Sequence, residues 1–269
     1  MRHKALVAAA AALLLIGLGS APAQAITDGV PDGDGHPNVG LMVAQTEDGT
    51  PLWRCSGTLI SPTVYITAGH CTFGAEHVEI WFQSDLEPTP AALGYPFTGQ
   101  VSGTPYTHPQ YDDAAFYLYD LGIVVLDEPV VVAEYGELPA LNQLDGYTKQ
   151  AKKNAWFTAV GYGLQKSFPD AASWKDQAYK TRMVSTPKLN QINTGFTGDA
   201  SLLLSNNAHT GGTCSGDSGG PNFIGDTNVI AGVTSFGLNS ACAGTGGVYR
   251  VDRADDLDWI YAEFGDLLP

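Results

Sequence analysis

The chain has 269 residues, 28 acidic and 13 basic, for a formal charge of −15 at neutral pH. That balance excludes a nucleic-acid or anionic-membrane binder, whose affinity rests on lysine and arginine. Hydrophobic residues make up 44% and charged residues 15%, so a sizeable core is affordable and wholesale disorder is excluded. With 32 glycines and few helix-period stretches, a helical bundle is a poor fit, and the length suits one or two compact domains.

The opening reads as a secretory signal. Arg2 and Lys4 precede an apolar run from Ala5 to Leu18, and Ala23-Gln24-Ala25 supplies a small-residue cleavage site. That run is shorter than the ~20 residues a helix needs to cross a bilayer, so a membrane anchor is the weaker reading. Cleavage after Ala25 makes Ile26 the first mature residue.

Short β-rich runs follow, separated by Gly, Pro and Asp. They are Leu41 to Ala44, Thr58 to Ile60, Val64 to Thr67, Val78 to Phe82, Leu121 to Leu126, Ala155 to Val160, Val229 to Thr234 and Gly247 to Val251. Their length and punctuation predict an antiparallel sandwich or barrel, without the alternating helices of a parallel sheet. Residues 134–154 are polar and poor in β-branched types, and read as a link between two β halves. One helix is predicted over residues 255–264, with Leu257, Ile260, Tyr261 and Phe264 on its apolar face and acidic residues in its first turn.

All four cysteines (Cys55, Cys71, Cys214, Cys242) lie beyond the signal. An even count in an exported chain implies disulfides, and spacing alone leaves three pairings open. A zinc site is disfavoured because no C-x-x-C pair exists. Glu76, Glu79, Asp85 and Glu87 lack the spacing of a calcium loop and read as a solvated face. No metal and no cofactor is assigned.

The chemistry concentrates in Cys214-Ser215-Gly216-Asp217-Ser218-Gly219-Gly220-Pro221. Glycines around a serine let backbone amides approach a reacting carbonyl, and the serine needs a positioned base to act as nucleophile. The pentapeptide around Ser218 also fits the nucleophile elbow of α/β-hydrolases, but that fold places its histidine after the serine, and the last histidine here is His209. The base must lie upstream. His70 stands apart, in Thr67-Ala68-Gly69-His70-Cys71 at the end of a β run, whereas His36, His77 and His209 read as surface or satisfied residues. A carboxylate must orient the imidazole. Asp120 is the candidate, because the apolar run from Leu121 follows at once and a buried aspartate is costly without a partner.

In the order His70, Asp120, Ser218, these motifs resemble the chymotrypsin/trypsin family of serine endopeptidases, in a form closer to its bacterial members. Ile26-Thr27-Asp28-Gly29, Gly161-Tyr162-Gly163, Ser235-Phe236-Gly237 and Gly247-Val248-Tyr249 fall in the matching order, so the resemblance spans nearly all of the mature chain. It implies an all-β fold of two six-stranded antiparallel β-barrels with a C-terminal α-helix, the first barrel over about 26–140 and the second over about 141–269. It implies His70, Asp120 and Ser218 as catalytic residues and the amides of Gly216 and Ser218 as the oxyanion hole. Substrate would meet Gly212, Thr213, Ser235, Phe236, Gly237 and Gly247. Ile26 and Asp217 would form the activating ion pair.

The resemblance selects the disulfides Cys55–Cys71 and Cys214–Cys242; in the chain-entropy model the first is worth about 3 kcal/mol. Gly212 falls where trypsin-like members carry an acidic pocket base, so a large apolar or aromatic residue is expected before the cleaved bond rather than Arg or Lys. The partners implied are a protein or peptide substrate and a proteinaceous inhibitor, with a monomer as the default. No nucleic acid is expected, and no membrane once the signal is removed. The competing readings are an inactive family member that serves as a secreted binding protein, and an esterase or transferase using the same three residues.

Overall fold

Short runs of β-branched and aromatic residues, cut by turn formers, can bury their apolar faces only by pairing along the chain and closing on themselves. The computed structural model describes residues 26–147 and 155–269; the predicted signal and the last part of the predicted link lie outside them. Six strands form a closed antiparallel barrel: β2 (Val39–Gln45), β3 (Pro51–Leu59), β4 (Val64–Thr67), β5 (His77–Trp81), β6 (Val101–Thr107) and β7 (Gly122–Leu126), in the order β2-β3-β4-β7-β6-β5. Leu41, Val64, Ile66, Ile80 and Ile123 are fully buried in its core. Closure leaves this barrel no free strand edge.

The second half is a sheet of eight strands. β1 (Val30–Pro31), β8 (Phe157–Gly161), β9 (Met183–Ser185), β10 (Leu189–Thr194), β11 (Gly198–Asn206), β12 (Pro221–Ile224), β13 (Ile230–Gly237) and β14 (Gly244–Arg250) run in the order β1-β9-β8-β12-β13-β14-β11-β10. This curled half-barrel sheet, with the short β1 added at its edge, is the second barrel of the two-barrel fold expected from the sequence. The start of β8 also meets the start of β10 through an isolated bridge between Trp156 and Lys188, with the Phe157 amide on Pro187 O (2.9 Å) and the Leu189 amide on Ala155 O (3.1 Å). That seam is too short to form a strand pair.

Helix α2 (Ala254–Phe264) closes the chain against the core through Leu257, Ile260 and Phe264. Tyr261, predicted on the same face, is 56% exposed. Asp256 is buried instead and accepts the Tyr249 hydroxyl at 2.9 and 3.0 Å, so the packed face runs through Asp256, Leu257, Ile260 and Phe264. Among the described residues no helix is long and apolar enough to cross a membrane.

Arg182, 1% exposed, ties the two halves together. Its Nε donates to Asp32 Oδ2 (2.8 Å) and its Nη1 to Val39 O, Phe82 O and the Tyr162 hydroxyl, while Nη2 reaches Gly33 O (2.6 Å). The N-terminal segment, the barrel and the sheet therefore share one guanidinium. Removing one partner of a buried pair leaves the other charge unpaired. Arg182→Leu is expected to destabilise the fold by about 3 kcal/mol, at the low end for buried pairs because His36 Nδ1 also contacts Asp32 (2.5 Å). Urea unfolding with the disulfides intact measures this, with an unchanged midpoint as the contrary result.

Candidate active site

β4 ends at Thr67 and the chain turns at once into α1 (Gly69–Thr72), a single turn that carries His70. This turn packs on the start of β7: a Cβ at Gly122 would stand 2.7 Å from Thr72 and 2.8 Å from Ala68 O. Cys71 is bonded to Cys55 on β3, so the turn is also tethered from the other side. Asp120, wholly buried just before β7, receives the His70 backbone amide on Oδ1 (2.8 Å) and His70 Nδ1 on Oδ2 (3.0 Å). The Ser235 hydroxyl, from β13 in the other half, donates to the same Oδ2 at 2.5 Å.

An ionised carboxylate only accepts, so Nδ1 carries the proton and Nε2 presents its lone pair. Burial alone would lower the His70 pKa, but the charge of Asp120 and its hydrogen bond outweigh it, and the imidazole is held above its usual 6.5.

Ser218 lies in the turn before β12, half-buried at the mouth of the cleft. Its carbonyl accepts the Ser56 amide (2.8 Å), and the next residue, Gly219, donates its amide to Thr234 O (2.8 Å). Gly219 has φ +77°, and a Cβ there would meet Thr67 Oγ1 at 2.0 Å, so only glycine lets this turn press against the strand that leads to His70. Among the described residues no hydrogen bond joins the Ser218 hydroxyl to His70. Such bonds are often long before substrate binds. The amides of Asp217, Gly219 and Gly220 are all bonded within the protein, whereas those of Gly216 and Ser218 have no protein acceptor among the described residues. This turn therefore holds two amides without a protein acceptor among the described residues.

A pocket of about 350 Å³ opens beside Ser218, lined by Thr213, Thr234, Ser235, Phe236, Gly237, Asn239, Ser240 and the Cys214–Cys242 disulfide. None of these side chains is charged. Gly212, expected at its base, and Gly247, expected to meet substrate, lie behind it. A Cβ at Gly212 would stand 2.2 Å from Asn206 Cγ, because the Asn206 carboxamide fills that space and donates to Thr213 O (2.7 Å). A bulge between Thr234 and Phe236 pairs Phe236 with Gly247 and lays its ring over that glycine, so Gly246 faces Thr213 instead.

Asp217 is fully buried between the Gly163 amide (2.7 Å) and the Cys214 amide (2.9 Å). Burial pushes its pKa up to about 7, against the pull of those amides and of Arg54. Ile26 is also fully buried, packed with Ala159 and Met183. Ala159 and Gly161 share one face of β8, and Gly161 abuts the Asp217 carboxylate. Ser56, which the sequence reading missed, donates its hydroxyl to Gly216 O (2.9 Å) and accepts the Tyr162 amide (3.0 Å). Strand alternation around Cys55 was the available signal.

The remaining candidates are engaged elsewhere. His36 pairs with Asp32 and His77 with Glu79 (3.0 Å), while His209 is exposed. Glu79 also accepts the Gly99 amide (2.6 Å), Glu76 that of Glu47 (2.7 Å), Asp85 the Thr181 hydroxyl (3.0 Å) and Glu87 the Lys180 ammonium (3.0 Å).

The architecture is the two-barrel fold of trypsin-like proteins. It is similar to HL collagenase (TM-score 0.68, 20% identity, 89% of this chain and 98% of that one) and to HBP (TM-score 0.64, 20% identity, 89% and 96%). The family model described as Trypsin matches residues 34–260: the chain belongs to the trypsin family and is a serine protease. Similar curated proteins include Serine protease 1 of Drosophila melanogaster, 29% identical over 87% of this chain and 84% of its own length. The Trypsin of Saccharopolyspora erythraea is 30% identical over 80% and 87% respectively.

The opposing influences on His70 can be separated. An NMR titration is expected to place the imidazole midpoint above 6.5, and Asp120→Asn should drop it below as burial acts unopposed. Because the folded value exceeds the unfolded one, the pair's contribution to stability is fully present below about pH 6.5 and fades as pH rises through the folded value.

Proposed function

We propose that the protein is a secreted endopeptidase that cleaves peptide bonds through an acyl-enzyme on Ser218. The observation that carries this reading is the buried Asp120, which holds His70 by Nδ1 and leaves Nε2 to take a proton. In the first step the Ser218 oxygen bonds to the scissile carbonyl carbon while its proton passes to His70 Nε2. The carbonyl oxygen gains the negative charge and meets the Gly216 and Ser218 amides, each such donor worth about 2.7–4 kcal/mol in the transition state. Collapse breaks the C–N bond as His70 returns the proton to the departing amine. Water then repeats the sequence and frees Ser218. The backbone of Ser235, Phe236 and Gly237 offers an edge on which the acyl side of the substrate adds as a strand.

The uncharged pocket supports a large apolar or aromatic residue immediately before the cleaved bond, with Thr213 and Gly237 on its walls and Gly212 and Gly247 backing it. Residues 1–25 support export, and their removal creates an α-ammonium at Ile26. That ammonium is the cation Asp217 awaits; once paired, the carboxylate ionises and fixes the turn that aims the Gly216 amide.

Ser218→Ala should lower kcat about 10⁴-fold or more and abolish labelling by a fluorophosphonate probe. A wild-type chain that the probe leaves unlabelled would point to the secreted binding protein instead. Peptide-library profiling is expected to show cleavage after Phe, Tyr or Leu, and cleavage chiefly after Arg rejects the pocket assignment.

N-terminal sequencing of active enzyme should read Ile26-Thr27-Asp28. Activity should then fall at alkaline pH, above the ~8 of a free α-amino group, since pairing with Asp217 raises that value. An enzyme that keeps full activity with a different N-terminus would refute the activation step.

A further inference from the structure

Four arginines lie among the described residues, and three of them are committed to carboxylates: Arg182 to Asp32, Arg250 to Asp145 and Asp252, and Arg253 to Asp145 and Asp199. Arg54 alone, among the described residues, forms neither an ion pair nor a side-chain hydrogen bond. It sits half-buried on β3, two residues from Ser56, and strand alternation gives the two side chains a common face. Ser56 uses that face to bond Gly216 O, and the Arg54 guanidinium lies over Gly216 itself, with Nε and Nη2 3.3 Å from where a Cβ would stand. Arg54 thus lies beside one of the two open amides.

The acyl half of a substrate runs along Ser235 to Gly237, on the β13 side of Ser218. The departing half must then leave across β3, where the Ser56 amide already holds Ser218 O. The two carboxylates within electrostatic reach of Arg54 are taken: Asp217 is buried on its own amides, and Glu87 is paired with Lys180 (3.0 Å). In a chain of net charge −15, this is a local positive point on the path of the leaving group.

We propose that Arg54 is a specificity-determining residue that selects substrates with an acidic side chain in the first or second position after the cleaved bond. The inference rests on the endopeptidase reading and adds the chemical class of the leaving segment. Its carboxylate would pair with the guanidinium, whose fork suits bidentate contact.

The test compares C-terminally amidated peptides identical except for Glu, Gln or Lys in those two positions. Amidation removes the free α-carboxylate, and a matched set with free C-termini shows whether that group supplies the charge instead. For the amidated set, kcat/KM for Glu over Gln should be about 2- to 5-fold, the size of a partly exposed ion pair, and should shrink as salt rises. Arg54→Gln should bring the ratio to about one, and Arg54→Glu should make Lys preferred over Glu.

A ratio that survives Arg54→Gln, or a variant that slows all three peptides equally, would overturn the assignment and leave Arg54 a structural prop for Gly216. A preference seen only with free C-termini would also overturn it. The salt dependence of the wild-type ratio tests the proposal even if a variant fails to fold. Fluorophosphonate labelling is run alongside. An unlabelled Ser218 removes the protease reading itself, whereas a labelled enzyme with no acidic preference removes only this inference.

Discussion

A single buried carboxylate organises the junction between the two halves. Asp120 has no water to solvate it, so it must be satisfied by protein donors, and it draws them from both sides: the amide and imidazole of His70 from the barrel, the hydroxyl of Ser235 from the sheet. Each donor loses a partner if the halves slide apart. The cost of burying the charge is therefore what fixes the relative position of the groups lining the cleft, and the same charge sets the tautomer and basicity of the imidazole.

A second requirement is close approach. The turn carrying Ser218 reaches its neighbours because Gly216, Gly219 and Gly220 have nothing to collide. A Cβ at Gly220 would stand 2.5 Å from Val160 O, and at Gly163 2.5 Å from the Asp217 carboxylate. Asp217 is wedged in this space, where burial raises its proton affinity against the pull of two amides and of Arg54. Packing density here has an electrostatic result.

Residues whose chemistry depends on local context were readable from the chain. His70 stood out because small residues and a cysteine surround it, Ser218 because glycines flank it, and Asp120 because an apolar strand follows it. The strands with β-branched runs were equally plain. β6, with Pro105 and Gly103 inside it, and β11, which starts Gly-Asp-Ala, carry little local preference and are strands because their neighbours need partners. Closure of the second half was legible only through the family resemblance, since its seam is two backbone bonds and one side of it, at Pro187, carries no strand signal. The true pocket walls could not be read: a bulge in β13 shifts register by one, and that decides whether Gly246 or Gly247 faces inward. Tyr261 was misplaced because the packed helix face takes in a buried polar residue, Asp256, instead.

The Asn206 carboxamide has a longer reach than its hydrogen bonds suggest. It is pinned at both ends, by the Thr27 hydroxyl (2.6 Å) and by Thr213 O, and its body fills the volume any side chain at position 212 would need. A mutation at one site alone would create a collision before it created a new charge preference. A side chain at position 212 is therefore admitted only together with a smaller residue at 206, so the two positions are coupled by volume alone.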